Sequence, residues 1–291
     1  MVSPLKRREQ VVNVNEFVLE SWEELKEELR MIKKEREELA RQPESTHVSE
    51  LLYRGQSDAT WPLSTTLERE SGEETELLDY HGIISRIKPR IESATGKEWA
   101  IPSRSEFSSW IKEMSRTGFL LKDNLPAYEY MAYLRHNGFP SPLLDWTESY
   151  LIASFFAFRR AKQNENKVAI FAYGEYGARG KMHSGNSALI STLHPYIRTH
   201  NRHYLQQSRY TICTRENDDG QYFFTKHEEG ISAGNSYGQN QDVIWKFVIP
   251  SNEWKKVNDD LKSSNINPYS LFASEESLME TLAIQEFSRC M

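Results

Sequence analysis

The sequence predicts an α+β fold, a central mixed or antiparallel sheet with helices around it. Three observations lead there. Apolar residues recur at the helical period along several segments of the first half. Short runs of apolar and aromatic residues, bounded by glycine, proline or charge, gather in the second half. A chain of 291 residues with 38% hydrophobic and 27% charged side chains is also large and apolar enough to bury a substantial core. There is no internal repeat and no low-complexity tract.

Residues 16–41 read as an amphipathic helix capped by Asn15, with Trp22, Leu25, Leu29 and Ile32 on one face. Pro43 and the polar residues after it end the segment. The stripe is too short for sustained heptads, so it reads as a packing face rather than a coiled coil for a partner. This divides the chain into an N-terminal helical segment, 1–45, and an α+β domain, 46–291.

A strand is expected at 51–56, followed by an irregular passage through Trp61 and Pro62. Helices follow at 74–91, 105–116 and 127–136. Residues 142–146 read as a buried strand that enters a helix at 147–163, with Thr147 as its cap. Residues 167–173 form a strand, and the stretch 174–201, rich in Gly, Ser and His, is dominated by loop. Strands are expected at 209–213, 221–225 and 242–249. Pro250 and Ser251 open a helix to about residue 263, and Ser274 caps a last one to 287.

The net charge of −6 gives no global footprint for nucleic acid and leaves room for a local basic groove. Two cysteines, Cys213 and Cys290, make no disulfide framework and suit a reducing compartment. The first ten residues lack the apolar stretch of a secretory signal, and no run approaches a membrane span. The expectation is therefore a cytoplasmic protein with no membrane contact. His194, His200 and His203 crowd one loop without a fourth ligand, so no metal site is expected. Dinucleotide glycine fingerprints, P-loops, nucleophile elbows and zincin motifs are absent. The acid pairs Asp218 with Asp219 and Asp259 with Asp260 read as solvated acids, not a nuclease centre.

Four stretches could carry chemistry. In Tyr53, Arg54, Gly55 and Gln56, an arginine on a strand must find an anion or acceptors, because an unpaired buried charge is costly. The glycine beside it permits close backbone approach. By residue type alone, a structural arginine–carboxylate pair explains Arg54 better than a phosphate or ribose clamp. In the second stretch, His136 to Thr147, a glycine- and proline-bearing turn leads to Asp145, Trp146 and Thr147. Asp145 is a candidate partner for Arg54, and Trp146 could stack on a planar ring. The third holds Gln206 and Gln207, whose amides can orient a ligand. The fourth holds Glu275 and Glu276, which the dipole of a helix start already explains.

Together these stretches resemble the FRG-domain family, named for a Phe/Tyr-Arg-Gly triplet. LLYRGQSDATWPLSTTLER is similar to its opening motif, and RHNGFPSPLLDWTESYLIASFFA to its Leu-Leu-Asp-Trp-Thr segment and the helix that follows. QQSRYTI and LFASEESL are similar to its later motifs. Order and spacing agree from about Val14 to Phe287. The chain departs from the family at Arg135, at Ser141 and Pro142 (where the family has Thr-Arg), at Ser208, and at Ala273 and Ser277.

The arrangement also resembles the three-part site of ADP-ribosyltransferases, which would make the sheet an ADP-ribosyltransferase-like fold. That resemblance implies NAD as substrate. Tyr53, Arg54, Gly55 and Gln56 would hold it, with Asp145, Trp146, Thr147 and Tyr150 around the nicotinamide. Gln206 and Gln207 would face the pocket from a strand. Glu276, with Glu275 as its rival, would be the catalytic acid that stabilises an oxocarbenium ion. It further implies a bacterial toxin or anti-phage effector that modifies RNA, DNA or protein and is restrained by an antitoxin or regulatory protein. The competing reading is a non-catalytic module that binds a ligand or nucleic acid. It predicts that Arg54 is occluded and saturated, whereas the enzyme reading puts Arg54, Trp146, Gln207 and Glu276 on one open cleft.

Overall fold

The structure, a computed structural model, describes residues 14–117, 125–159, 167–178, 180–182, 184–236 and 241–288. The first half carries β1 (Val14–Val18), α1 (Trp22–Ala40), β2 (His47–Val48), β3 (Leu52–Gln56), α2 (Thr66–Ser71) and β4 (Thr75–Glu76). Then come α3 (Leu77–Thr95), α4 (Arg104–Thr117), α5 (Tyr128–His136), β5 (Leu144–Thr147) and α6 (Tyr150–Phe158). The second half carries β6 (Lys167–Gly174), β7 (Gly177–Ala178), β8 (Leu189–Thr192), α7 (Arg202–Leu205), β9 (Ser208–Glu216) and β10 (Tyr222–Phe224). It closes with α8 (His227–Ser236), β11 (Val243–Pro250), α9 (Trp254–Ser263), α10 (Pro268–Phe272) and α11 (Glu275–Ser288).

Nine strands form one mixed sheet in the order β1-β11-β6-β3-β5-β9-β10-β4, with β8 also on β9. Among the described residues only the β1–β11 pair of this sheet is parallel. Strands β2 and β7 make a separate antiparallel pair. Alternation sorts the long strands onto two faces. Val168, Ile170 and Ala172 of β6 with Phe247 and Ile249 of β11 face a core that includes Trp22, Leu25, Leu29 and Ile32 of α1 and the α6 residues Ile152, Ala153 and Ala157. Ala169, Phe171 and Tyr173 face the opposite core with Leu144, Trp146 and Ile190. A third cluster gathers α3, α4 and α5.

Several local expectations change. The helix starts at Trp22, capped by the Ser21 side chain, which accepts from the Glu24 backbone N–H. Residues Val14–Val18 instead form a strand that pairs with Ile244 to Val248. Helix α6 is capped by Ser149, not Thr147, whose hydroxyl accepts from the Ser149 N–H while its backbone closes β5. The stretch 174–201 is not all loop, since Leu189–Thr192 pairs with β9. The continuation of α6 to residue 163, the first ten residues and Cys290 lie outside the described residues. Cys213 is buried and unpaired. Among the described residues no helix is long and apolar enough to cross a membrane.

One contact fixes the centre. A Cβ added to Gly55 would lie 1.9 Å from the Ala153 carbonyl oxygen and 2.7 Å from the Ala157 nitrogen. Helix α6 therefore lies on β3 as closely as main chains permit, which only glycine at this position allows.

Candidate functional site: an arginine-lined cavity where two strands part

Strand β3 pairs with β6 over all five of its residues, but with β5 only at Tyr53 and Thr147. Beyond that point β3 and β5 part, and a cavity of about 670 Å³ opens beside them. This size is in the range of small-molecule sites. Its wall includes Arg54, Gln56, Trp61, Arg69, Arg135 and Arg202, together with His136, Asp145, Trp146 and Phe272.

Each arginine arrives by a different route. Arg54 stands on β3 and donates from Nη1 to the backbone carbonyl of Asp145 at 2.9 Å. Its distance to the Asp145 carboxylate is 4.0 Å, a loose pair. Arg135, in the last turn of α5, makes the close ion pair with that carboxylate. Arg69, on α2, donates to the Ser64 carbonyl at 2.8 Å. Arg202 opens α7, its guanidinium 5.5 Å from the Phe272 ring centre.

The charge balance is one-sided. Four arginines line the cavity against one carboxylate, Asp145. The Nε atoms of Arg54, Arg135 and Arg202 are buried without a hydrogen-bond partner. An unmade hydrogen bond on a buried donor costs about 1–3 kcal/mol, more when the group is charged. Burial lowers the pKa of Arg54 to about 10, Asp145 opposes the shift, and Arg135 and Arg69 add to it. Arg54 is therefore cationic at neutral pH, although its environment disfavours the charge. An incoming anion would relieve both the repulsion and the orphaned donors.

The expected site residues divide. Tyr53, Arg54, Gly55, Gln56, Asp145, Trp146, Thr147 and Gln206 all line this cavity. Trp146 is held by stacking on Tyr173 at 5.3 Å and by donation from Nε1 to Thr211 Oγ1 at 2.8 Å. Tyr150, Gln207 and Glu276 do not line it. Tyr150 packs at ring distance on Trp22 and Tyr53 in the helix-side core. Gln206 and Gln207 are not on a strand: they form the turn before β9, where Gln207 is exposed at φ 47°. Gln206 donates to the Leu271 carbonyl at 3.1 Å.

Glu276 is exposed in the first turn of α11, its carboxyl held below the usual range by hydrogen bonds from its own backbone N–H and the Ser274 hydroxyl. Its electrostatic link to the cavity runs through Arg202. Glu275 is exposed as well.

Sequence reasoning gave no role to Arg69, Arg135, His136 or Arg202, although each lies inside or beside a quoted motif. The usable signal was the presence of arginines within or beside the first three of these stretches in a chain of net charge −6. Trp61, 53% exposed on the rim, belongs to the opening motif but carries no role that the sequence alone assigns. Among the described residues no group of three or more His, Cys, Asp or Glu is placed to hold a metal ion. His203 Nε2 donates to the Pro195 carbonyl, and His200 Nδ1 accepts from the Arg202 N–H.

Fold and site together define a mixed α/β protein with a cationic cavity at a parting in its sheet. The family model described as FRG domain matches residues 49–166, and the chain carries an FRG domain over that span. The match takes in β3, α5, β5 and α6, which supply Arg54, Arg135, His136 and Asp145. Gln206 and Phe272 lie beyond it. Comparison with curated proteins and with solved structures finds no match.

Proposed function

We propose that this chain binds a nucleoside phosphate in the arginine-lined cavity, with the phosphates on Arg54, Arg69, Arg135 and Arg202 and the base near Trp61. The observation that carries this reading is the set of three buried guanidinium Nε atoms without partners, on a wall with a single, already engaged carboxylate. Planar forked guanidiniums suit phosphate oxygens. Trp61 has no ring contact among the described residues, and its exposed face suits stacking. Calorimetric titration of the purified chain with ADP, NAD and pyrophosphate tests it. Binding that weakens in Arg54→Ala supports the reading, and no binding of any of the three sinks it.

A second reading, ADP-ribosyl transfer from NAD to an RNA, DNA or protein acceptor, is supported by a separate observation. Residues from all four motifs, Arg54, Trp146, Gln206 and Phe272, meet at one cavity. Under it the sheet is an ADP-ribosyltransferase-like fold, and the protein a toxin or anti-phage effector held by an antitoxin. The cavity suits the diphosphate of NAD. It offers no unpaired carboxylate to stabilise an oxocarbenium ion, since Asp145 is held by Arg135 and Glu276 lies off the wall. Binding therefore stands first. NAD consumption by the wild type, lost in Arg54→Ala and Glu276→Gln, together with expression toxicity relieved by either change, would reverse that order. Absence of turnover with any acceptor would remove the transferase reading.

A further inference from the structure

The cavity wall contains one neutral ring that neither reading uses. His136 ends α5 and lines the cavity beside Asp145. Behind it runs a polar chain into the protein: His136 Nε2 lies 2.6 Å from the Tyr210 hydroxyl, Tyr210 lies 3.4 Å from His203 Nδ1, and His203 Nε2 lies 2.9 Å from the Pro195 carbonyl.

This chain has one consistent proton arrangement. A carbonyl only accepts, so His203 carries its hydrogen on Nε2. Burial holds His203 below the ordinary histidine range, so its ring is neutral and Nδ1 is a lone pair. The donor within reach of that lone pair is the Tyr210 hydroxyl, which burial keeps protonated. With its one hydrogen pointing to His203, the Tyr210 oxygen accepts from His136 Nε2–H. Burial also lowers the pKa of His136 to about 4, so its ring is neutral at pH 7 and its Nδ1 has no hydrogen. No donor among the described residues bonds that atom. The opposite tautomer would leave the His203 lone pair without a donor and add one more N–H to a wall already crowded with guanidiniums.

We infer that His136 presents Nδ1 to the cavity as a fixed hydrogen-bond acceptor for a hydroxyl of the ligand, which makes this a ribonucleotide site and not a general phosphate site. The inference rests on the nucleotide reading above and adds the sugar to it. Guanidiniums read phosphate and cannot accept from a hydroxyl. A ribose bound beside them needs acceptors, which His136 Nδ1 offers next to Asp145 Oδ1, the carboxylate oxygen that Arg135 does not hold. His136 is thus a binding residue, positioned through Tyr210 and His203.

The test compares ADP, 2′,3′-dideoxy-ADP and pyrophosphate by calorimetry on the full chain and on His136→Phe. The wild type should prefer ADP over the dideoxy analogue by about tenfold, the value of one hydrogen bond of about 1.4 kcal/mol. His136→Phe should bring that ratio to about one and leave pyrophosphate affinity unchanged. Equal binding of ADP and the dideoxy analogue by the wild type overturns the inference while the phosphate site stands. A preference that survives in His136→Phe also overturns it. Failure of both pyrophosphate and ADP to bind removes the nucleotide reading and this inference together. Nitrogen NMR of the wild-type imidazoles gives a readout independent of any variant: hydrogen on Nε2 of His136 is expected, and hydrogen on Nδ1 overturns the inference.

Discussion

Lys181 and Arg54 both place positive charge out of solvent, and the protein treats the two differently. The Lys181 side chain is fully buried, and its ammonium reaches Asp242 at 2.6 Å, Glu175 at 3.3 Å and the Ile190 carbonyl at 2.5 Å. Three donors meet three acceptors. Tyr173 completes the group by donating to Asp242 at 2.5 Å. Arg54 has five N–H donors and one hydrogen bond, to the Asp145 carbonyl, with Nε left over. A charge whose valence the chain fills by itself holds the fold together. A charge left partly unfilled beside a cavity is set up for something from outside. Under the proposed function this difference separates the structural charge of Lys181 from the binding charge of Arg54, whereas residue type alone favours a structural pair for Arg54.

The largest effect should come from the filled cluster. Lys181→Met leaves Asp242 buried without its cation and should cost about 3–5 kcal/mol in urea unfolding. Arg54→Ala should instead cost under about 1 kcal/mol of stability, because Asp145 keeps Arg135. Its effect should fall on ADP affinity, by roughly thirtyfold or about 2 kcal/mol. Equal stability losses in the two variants would erase the contrast and make Arg54 a structural residue.

A pH effect of similar size should follow from His136. Its pKa is about 4 in the folded chain against an ordinary 6.5, burial being the main cause. The unfolded chain therefore takes up the proton first as pH falls. Stability is full above about pH 6.5 and should drop by about 3 kcal/mol as pH falls toward 4. His81, His200 and His203, also held low, act in the same direction. Unfolding curves of His136→Phe should show a flatter slope over that window. The smallest effect is expected at Glu276→Gln: an exposed side chain off the wall should change stability by less than about 0.5 kcal/mol and ADP affinity by less than about twofold.

What the sequence disclosed follows from how local each signal is. The stripe of Trp22, Leu25, Leu29 and Ile32 announced its helix and buried face because the period lies within that segment. β1 stayed hidden because its partner, β11, lies some 230 residues away and its five residues, Val-Asn-Glu-Phe-Val, carry no apolar alternation of their own. β8 was missed for a similar reason: Leu189–Thr192 becomes a strand by pairing with β9. At the site, Arg54, Asp145 and Trp146 were legible because neighbouring residues already suggested strand and turn. Arg135 and His136 read as an ordinary basic helix end, and their role depends on where β3 and β5 part. Glu276 was placed by its rank in a motif, which carries no information on where the start of α11 points.

The contact at Gly55 also says how this site could be re-engineered. With Ala153 and Ala157 at main-chain distance from β3, the floor has no slack to remove and no side chain to trim. Any attempt to enlarge or reshape the cavity for another ligand would have to start from the opposite rim, at Trp61 and Arg69. There long side chains can be exchanged without disturbing the seam between helix and strand.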